Sequence, residues 1–540
     1  MEEFSFISIK LNFRPRNINY NHKKNELGYT NLYKMIVKVN IMKTNKVLDV
    51  KTRIKQIQVQ FGNSSDVKVR YFKGRDSDVY GGLIYLEGIV DTSTIEEYIV
   101  DPLVNKHING NASDREFIIT LMEEIIESAS VEAIDTSKSI SKIVEGWTVI
   151  LFGNMEQMIA ADTAKWQERA ISNPKVQRTV EGPNIGFTES RSGNVALVRK
   201  LVKNHNFRVE TELFGTSTNT SVSLLYLESK VDHDILKDIK TRLSQISLDS
   251  VLDSNYISEF LTKESKSFFP LIMNTERPDV VAAEVLEGRI CIIVDGSPYS
   301  LIAPAELNQF FQSAEDYYLS SKSTALVRPL RIIFFWMSLY VPALYVALIT
   351  FHAGFIPPNL LVGFVSQRQA VPLPTVIEVL IINFIIETIY EGSNRLPQSV
   401  IVTISIFGAI VLGQASVEAQ LIQPITLVVL SVSFILSSVI PVSSMYYATR
   451  IMKIFLILTG AFLGLYGIAL FSLMLLVHLC SLRSFTVPYL APLAPFTLKD
   501  QKDVIFRRKI PDINHSQVLF HKEETMEEAP KLSSKKENDS

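Results

Sequence analysis

The spacing of apolar and polar residues changes once along this chain. From residue 51 to 331, short apolar runs alternate with charged residues, as in a soluble protein of mixed strands and helices. From residue 332 to 480 charges are sparse and long apolar runs follow one another. The pattern therefore predicts an α/β cytosolic region followed by an all-α polytopic membrane domain.

The α/β region contains an internal repeat. The segment "LIYLEGIVDTSTIEEYI" around Tyr85 matches "SLLYLESKVDHDILKDI" around Tyr226, 141 residues later. A second pair, "VEGWTVILFGN" and "LEGRICIIVDG", matches at a spacing of 142 residues. Two matches at nearly the same spacing predict two α/β subdomains of similar topology, at 48–168 and 169–322. Two unrelated units with coincidental Asp helix caps are the alternative.

The second half contains four apolar runs long enough to be membrane helices. The first, residues 332–352, has 21 residues without a formal charge, enough at 1.5 Å per residue to cross a hydrocarbon core of roughly 30 Å. The other three runs cover residues 399–417, 424–442 and 454–480. We expect a membrane domain of four to five helices over residues 323–498. A bundle of buried helices in a soluble protein is the alternative, which four such runs disfavour.

Basic residues predict which side of the membrane the α/β region occupies. Lys322, Arg328 and Arg331 precede the first run, and the positive-inside rule then puts the α/β region in the cytoplasm. The N-terminal stretch also lacks the features of a signal peptide. If residues 376–391 cross the membrane, five crossings leave the C-terminal tail outside. If they form a re-entrant segment, four crossings place the tail in the cytosol but put Arg450 on the outer side of the membrane. Both possibilities stay open.

Both ends of the chain have compositions typical of disorder. Residues 1–47 are rich in Asn and Lys, which predicts a poorly ordered basic leader unless translation starts at Met35 or Met42. Residues 499–540 are charged and lack a hydrophobic period, which predicts a disordered tail.

Acidic residues interrupt one of the most apolar stretches, "VIEVLIINFIIETIYE", at residues 376–391. An ionised carboxylate near the middle of a bilayer costs about 2.5 to 3.5 kcal/mol, so it must face protein or water or bind a proton. Glu378 and Glu387 are nine residues apart and lie on opposite faces of a helix. A helix between two neighbours, or between a neighbour and an aqueous path, would accommodate both. Glu391 is near the segment's end, where interfacial water alone accounts for it.

A second polar group follows in "GAIVLGQASVEAQ". Its small residues allow close helix approach, and Gln414 and Glu418 share a helix face. A helix end that reaches the lipid headgroups is the alternative for Glu418. Together with Glu378 and Glu387, these residues are our candidates for a cation-attracting interior or a proton-sensitive joint.

The sequence contains none of the short motifs that would indicate an enzyme. Nucleotide-binding loops, zinc-protease motifs and nucleophile elbows are absent, and the eight histidines are scattered. Cys291 and Cys480 are too few for a disulfide framework or a thiolate metal site, so we interpret both as packing residues. We predict a non-enzymatic protein without a cofactor or a nucleic-acid partner.

The most distinctive soluble stretch is "EGPNIGFTES", residues 181–190. Gly182, Pro183 and Gly186 predict a turn with unusual backbone angles, followed by a helix that begins between Thr188 and Arg191. An exposed helix N-terminus can hold an anion or the carboxylate of a partner. A simple connecting turn is the alternative.

Taken together, these segments resemble a known family. The turn "EGPNIGFTES", the segment "LPTVIEVLIINFIIETIYEGSNRLPQSV", and the stretches "GAIVLGQASVEA" and "FTVPYLAPLAP" are similar to those of the A subunits of nutrient germinant receptors, the GerA family of endospore-forming bacteria. The resemblance covers residues 48–505. The candidate contact residues in the turn that match the family are Gly182, Pro183, Gly186, Phe187, Thr188 and Glu189. Asn184 and Ile185 depart from the Arg-Glu or Arg-Gln common there.

The resemblance implies a multi-pass protein of the spore inner membrane with its N-terminal domain in the cytosol. It implies assembly with a transporter-like, nutrient-binding B subunit and a lipoprotein C subunit, and homo-oligomerisation into a ligand-gated ion path that starts germination. The matched membrane positions, Glu378, Glu387, Gln414 and Glu418, would have a pore or gating role. A stand-alone secondary transporter and a membrane-anchored cytosolic scaffold are the alternatives.

Overall fold

The computed structural model describes most of the chain between residues 50 and 507. The described ranges are 50–74, 80–105, 118–126, 130–153, 155–165, 173–174, 176–393, 395–496 and 503–507. The predicted leader, residues 1–47, lies outside the described residues, as does the predicted tail apart from residues 503–507.

The first half of the α/β region is built on a five-stranded antiparallel sheet. Its strands are β1 (Val67–Lys73), β2 (Tyr80–Leu86), β3 (Val131–Ile134), β4 (Trp147–Phe152) and β5 (Met158–Asp162), in the spatial order β1-β2-β4-β5-β3. Its helices are α1 (Val50–Gln60), α2 (Thr92–Ile95), α3 (Asp101–Asn105) and α4 (Thr136–Val144), with π-helical turns at Glu96–Val100 and Leu121–Ile125. Side chains from the sheet and these helices, among them Ile54, Leu83 and Val149, form one hydrophobic core.

The second half repeats this arrangement. Its strands are β6 (Phe207–Phe214), β7 (Thr220–Leu227), β8 (Met273–Thr275), β9 (Ile290–Val294) and β10 (Ser300–Ala303), in the order β6-β7-β9-β10-β8. Its helices are α5 (Arg191–Leu201), α6 (His233–Ser244), α7 (Ser254–Leu261), α8 (Pro278–Leu286) and α9 (Glu315–Tyr318), with a 3₁₀ helix at Leu307–Phe311. The strand orders of the two sheets correspond one to one. The predicted fold class is confirmed: an α/β region with two similar sheets precedes a helical region.

The sequence repeat falls on equivalent structural positions. Asp91 and Asp232 follow equivalent strands, and each is the N-cap of the next helix, where its carboxylate accepts the backbone N–H two residues on. Gly146 and Gly288 each join a helix to the strand after it, with φ angles of +95° and +100°. Only glycine adopts such angles without strain. The residues that recur in the two halves are therefore those that the local geometry requires.

The region after residue 320 is helical. Its helices are α10 (Ser321–Phe351), α11 (Pro358–Ala370), α12 (Thr375–Ser393), α13 (Gln398–Gly408), α14 (Ser416–Glu418), α15 (Pro424–Ser437) and α16 (Ser443–Ser481), with a 3₁₀ turn at Ala353–Phe355 and a π-helical turn at Ala409–Ala415. Three helical stretches of the described chain are long and apolar enough to cross a bilayer: α10, residues 400–418, and α16. A fourth qualifies if α11 and α12, bent by 78°, count as one span.

The predicted span at residues 454–480 is wrong as a single helix. Gly464 interrupts α16 with φ +62° and ψ −146°, and a Cβ atom on Gly467 would lie 2.4 Å from the carbonyl oxygen of Thr459. The rings of Phe455 and Phe471 stack with their centroids 6.3 Å apart, whereas 16 residues of straight helix would separate them by about 24 Å. The chain therefore reverses at Gly464, and α16 is a helical hairpin.

The predicted span at residues 424–442 is also too long. Helix α15 ends at Ser437 after 14 residues, and the next five residues turn and line a cavity shared with the α/β region. Pro441 lies within these five residues and cannot donate a helical hydrogen bond. At 1.5 Å per residue, α15 is about 21 Å long.

Helix α10 is the centre of the helical region. Helix α15 packs antiparallel to it: the hydroxyls of Tyr345 and Thr426 are 2.8 Å apart, and Ser433 donates to the carbonyl of Ser338 at 2.7 Å. The hairpin α16 turns beside the far end of α10, where a Cβ atom on Gly464 would lie 2.6 Å from the His352 ring.

The hairpin returns the chain to the α/β region. The His478 ring and the Ser267 hydroxyl are 3.0 Å apart, and Ser484 donates to the carbonyl of Leu271 at 2.6 Å. Ser484 belongs to a small ribbon of β11 (Arg483–Ser484) and β12 (Val487–Pro488). The start of α10 and the end of α16 thus lie on the same side of the helical region.

Candidate functional site

Glu378 caps a neighbouring helix from inside the protein. Its carboxylate, on α12 and 1% exposed, accepts the backbone N–H of Gln423 and the Gln423 side-chain amide, the latter at 3.0 Å. Gln423 is the N-cap of α15, where backbone N–H groups lack helical partners and the helix dipole favours negative charge. The buried acid therefore holds the N-terminus of α15 against α12.

Glu387 faces a different helix. Its carboxylate forms an ion pair with Arg450 on the first arm of α16. The Arg450 guanidinium also lies 5.5 Å from the ring of Tyr390 and 5.6 Å from that of Tyr446. Aromatic faces around a guanidinium stabilise its charge where water is scarce. Thus α12 lies between α15 and α16, with one acid directed at each.

The remaining membrane candidates lie apart from this pair. Glu391 pairs with Arg395 at 2.5 Å, and both side chains are largely exposed. Gln414 donates to Glu418 at 3.0 Å on an exposed surface. Along residues 400–418, every described side chain is exposed or half-buried, so this apolar stretch has little of its surface covered within the chain.

The turn at residues 181–190 packs against α9, the short helix that precedes α10. Gly182 has φ +102°, and a Cβ atom there would lie 2.3 Å from the Tyr318 ring. The carbonyl of Pro183 accepts a 2.7 Å bond from Arg277. Gly186 is buried, but its φ is not positive, so the prediction of unusual backbone angles holds for Gly182 and not for Gly186.

The second half of the turn leads into α5. Phe187 is buried in the core of the second sheet, and Thr188 donates its backbone N–H to the Asn194 side chain at 2.9 Å. The backbone carbonyl of Glu189 accepts from Gly296 at 2.8 Å. The N-terminus of α5 is occupied by this chain itself, since Arg191 donates its backbone N–H to Asp295 at 3.1 Å.

A cavity of about 350 Å³ lies where the α/β region meets the helical region, next to residues 176–179 just before the turn. It lies between α8, α9 and the linker at residues 438–442, which joins α15 to α16. Arg277, which is 1% exposed, borders it and donates to the carbonyl of Gln177, to Pro183 and to Asp279. Tyr318 donates to Asp279 at 2.5 Å. One buried guanidinium therefore connects the turn, α8 and, through Tyr318, the approach to α10.

Two acids on α8 and at its end face the same cavity. Glu284 pairs with Arg289 at 3.0 Å and accepts a 2.7 Å bond from Gln309. Burial, and next the nearby Glu284 carboxylate, raises the pKa of Glu287 to about 8. A carboxyl group with such a pKa titrates near neutral pH at the boundary between the two regions.

The base of α10 is fixed by a buried charge cluster. Asp316 accepts from Arg328 at 3.0 Å and from Arg331 at 2.8 Å. Arg328 also donates to Asp503 at 2.7 Å, and Arg507 donates to the carbonyl of Leu319 at 2.8 Å. The prediction of a disordered tail from residue 499 is therefore wrong for residues 503–507, because Asp503 pairs with Arg328 of α10 and Arg507 bonds to backbone carbonyls just before α10.

The structure does not bring the predicted site residues into one place. Glu378 and Glu387 share α12, Gln414 and Glu418 lie on a separate surface, and the turn belongs to the α/β region. Sequence reasoning missed Arg277, Asp316 and Asp503, because partners far apart in sequence leave no local pattern. Across the described residues, no group of three or more His, Cys, Asp or Glu could hold a metal ion.

This architecture and its motifs match a known family. The model of the Bacillus/Clostridium GerA spore germination protein family matches residues 55–518. The chain belongs to the GerA family. The match begins within α1 and continues through both sheets and every later helix described above, so the family covers the α/β and the helical regions together.

Curated members of the family are similar over most of their length. Spore germination protein KA of Bacillus subtilis (strain 168) is 40% identical over 456 residues, 84% of this chain and 83% of that protein. Spore germination protein GerLA of Bacillus cereus is 32% identical over 455 residues, 84% of this chain and 92% of that protein.

One solved structure is also similar to this GerA-family chain. It is the crystal structure of the N-terminal domain of the A subunit of the Bacillus megaterium spore germinant receptor GerK3. That domain is 31% identical, with a TM-score of 0.39, over 48% of this chain and 96% of its own.

Proposed function

We propose that this chain is the A subunit of a nutrient germinant receptor in the spore inner membrane and converts nutrient binding into ion release at the start of germination. Family membership supports the receptor role. The transporter-like B subunit would bind the nutrient, and the lipoprotein C subunit would complete the receptor.

The observation that carries the proposal is that α15 is held at both ends. Its N-terminus is capped by Glu378 of α12, and the linker after its C-terminus lines the cavity beside α8 and α9, with Val442 buried in the same hydrophobic cluster as α8. A displacement of the α/β region would therefore move α15 and, through Glu378, α12. A packed helix that switches between two arrangements can transmit a signal between distant sites, and α15 would do so here.

The ion path would form between copies of the chain. The surface at residues 400–418 is apolar and uncovered, yet it carries Gln414 and Glu418, which suits contact with another copy around an aqueous path. Phe407, 67% exposed, is a site for disulfide cross-linking as Phe407→Cys. Dimers that also form with Leu213→Cys, an exposed position on β6, would argue against this interface.

In this arrangement the α/β region and the chain after α16 both face the cytosol. The end of α16 returns to the α/β region, and the charges of Arg328, Arg331 and Arg507 gather there. A reporter fused after Ser540 is expected to be active only as a cytosolic fusion. Activity on the outer side would contradict the arrangement.

Neutral replacement of the buried acids tests the gating role. Glu378→Gln places an amide donor against the donors of Gln423, and Glu387→Gln removes the partner of Arg450. Each should slow nutrient-triggered ion release while the receptor still assembles. Glu391→Gln, at an exposed pair on the same helix, is the matched control. Normal ion release in the first two variants would overturn the role of these acids and favour a membrane-anchored scaffold.

A stand-alone secondary transporter is a competing function. It predicts substrate uptake by the purified chain reconstituted without B and C subunits. We expect no uptake, because the proposed ion path requires the assembled receptor.

A further inference from the structure

A second cavity lies where the helices leave the α/β region. It has a volume of about 610 Å³ and is lined by α10, the second arm of α16 and residues 490–494. Trp336 and Tyr340 contribute from α10, and Leu475, Leu479 and Cys480 from α16. This volume is within the roughly 300–1,000 Å³ typical of sites that hold small organic ligands.

The wall chemistry calls for an apolar occupant. Most of the lining is hydrocarbon, and the polar groups that reach it bond within the protein. Tyr340 donates to Ser472 at 2.8 Å, and the Asn308 amide donates to the carbonyl of Ala491 at 3.2 Å. A buried water needs two to four polar partners, which these walls do not supply.

The cavity is continuous with the surface that would face lipid. Leu476, at its edge, is 55% exposed, and the neighbouring Leu473 and Val477 are similarly exposed. The floor comes from the α/β side, including Leu307 and Phe311 of the 3₁₀ helix. Trp and Tyr side chains at this level are typical of the interface between hydrocarbon and headgroups. The opening therefore lies at the depth of the membrane leaflet next to the α/β region.

We propose that this cavity binds one acyl chain of a phospholipid from that leaflet. The inference rests on the proposed function only for the membrane placement of α10 and α16. The acyl chain would enter between α10 and α16 near Cys480 and lie against residues 490–494 and Ile505 of the protein. Ile505 neighbours Asp503 and Arg507 of the charge cluster. A bound lipid would then stabilise the packing of the chain's C-terminal segment on the base of α10.

The test uses the full-length chain in nanodiscs that contain a phospholipid with a diazirine at the end of one acyl chain. Photolysis should label peptides that carry Trp336, residues 475–480 and residues 490–494. Ala494→Trp would fill the cavity and reduce this labelling about tenfold, which corresponds to roughly 1.4 kcal/mol of binding free energy. Leu473→Trp, on the exposed surface of the same helix, should leave it unchanged.

Several results would overturn the proposal. The cavity peptides would be contacting only bulk lipid if they are labelled no more strongly than the exposed positions Leu473 and Val477 and if Ala494→Trp leaves their labelling unchanged. Protection of the cavity by a B or C subunit or by residues 497–502, with no lipid label, would assign another occupant. Labelling by a diazirine free fatty acid but not by the phospholipid would also contradict it.

The native thiol gives a measurement that requires no cavity substitution. Cys480 is exposed at the edge of the cavity, whereas Cys291 is buried and burial raises the pKa of its thiol well above the usual range. Phospholipid added to the chain in detergent should slow modification of Cys480 by an alkyl methanethiosulfonate about tenfold. An unchanged rate would contradict acyl-chain binding even if Ala494→Trp fails to fold, and Cys480→Ala identifies the reacting thiol.

Discussion

The guanidinium of Arg328 donates to the carboxylate of Asp503 at 2.7 Å, and this bond joins the base of α10 to the segment that follows α16. Arg328 is 1% exposed, and it also bonds Asp316 of the α/β region. Three parts of the chain therefore meet at one buried cation. Because a buried charge is costly without partners, each contact supports the others.

Asp503→Asn should loosen the C-terminal segment without unfolding the sheets. Asn keeps the shape of the side chain but removes its charge, while Arg328 keeps its bond to Asp316. The packing of the C-terminal segment should therefore lose about 1–3 kcal/mol of free energy. Limited proteolysis of the purified chain should then cleave faster after residue 496. Asp234→Asn, at an exposed helix start, is the control and should leave the cleavage rate unchanged. Equal rates for wild type and Asp503→Asn would mean that this bond does not hold the segment.

Arg199 and Asp66 join the two halves of the α/β region. Arg199 donates through Nε at 2.9 Å and Nη2 at 2.6 Å to one oxygen of Asp66, and both side chains are buried. Arg199→Met leaves a buried, unpaired carboxylate, which should lower the free energy of unfolding by about 3–5 kcal/mol. Thermal and urea unfolding of the detergent-solubilised chain would measure the loss.

A nearby exposed pair provides the control for Arg199. Lys68 and Glu87 are 3.2 Å apart, with both side chains about half exposed. Water and salt screen this pair, so Lys68→Met should cost less than about 1 kcal/mol. Similar losses for Lys68→Met and Arg199→Met would show that the buried pair has no special role.

The α/β region was predictable where its signals are local. Asp91 and Asp232 are helix caps, Gly146 and Gly288 need positive φ, and these requirements recur in the sequence because the same turn recurs in the fold. Partners such as Arg199 and Asp66 were not predictable. These two residues are 133 positions apart in the sequence, and no sequence periodicity connects them.

The helical region was predictable in composition but not in path. An apolar run has the same appearance whether it continues straight or reverses, so the break at Gly464 went unpredicted. Arg450 shows the same limit of sequence reasoning. Its charge entered the prediction only through the membrane topology, whereas the structure pairs it with Glu387. The opposite faces of Glu378 and Glu387, by contrast, follow directly from helical spacing.

The raised pKa of Glu287 predicts a pH-dependent stability. Its folded pKa is about 8 and its ordinary value is 4.5, so between these values the folded state binds a proton that the unfolded state releases. Stability should therefore fall as pH rises from about 4.5 to 8, by at most roughly 1.4 kcal/mol per pH unit and less because the side chain is partly exposed. Glu287→Gln should flatten this dependence and be more stable than wild type at pH 8.

The internal repeat supplies the control for Glu287. Glu145 occupies the equivalent helix C-cap in the first half but is exposed. Glu145→Gln should leave the wild-type pH dependence intact in thermal unfolding measured from pH 5 to 9. If Glu287→Gln shows the same decline as wild type, another group titrates at this boundary.

The reversal at Gly464 makes a strict prediction for one glycine. Its φ of +62° with ψ of −146° belongs to a region that only glycine occupies, and a Cβ atom would lie 2.6 Å from the His352 ring. Gly464→Ala should therefore lower the thermal stability of the helical region by about 1–3 kcal/mol or more. Gly363→Ala, in α11 where a Cβ atom meets nothing within 4 Å, should be neutral or stabilising, because alanine is the better helix former.

Spin labels at positions 455 and 471, in a chain with both cysteines replaced, distinguish a hairpin from a straight helix. The hairpin should give strong dipolar broadening, whereas a separation near 24 Å would mean that α16 is one straight helix.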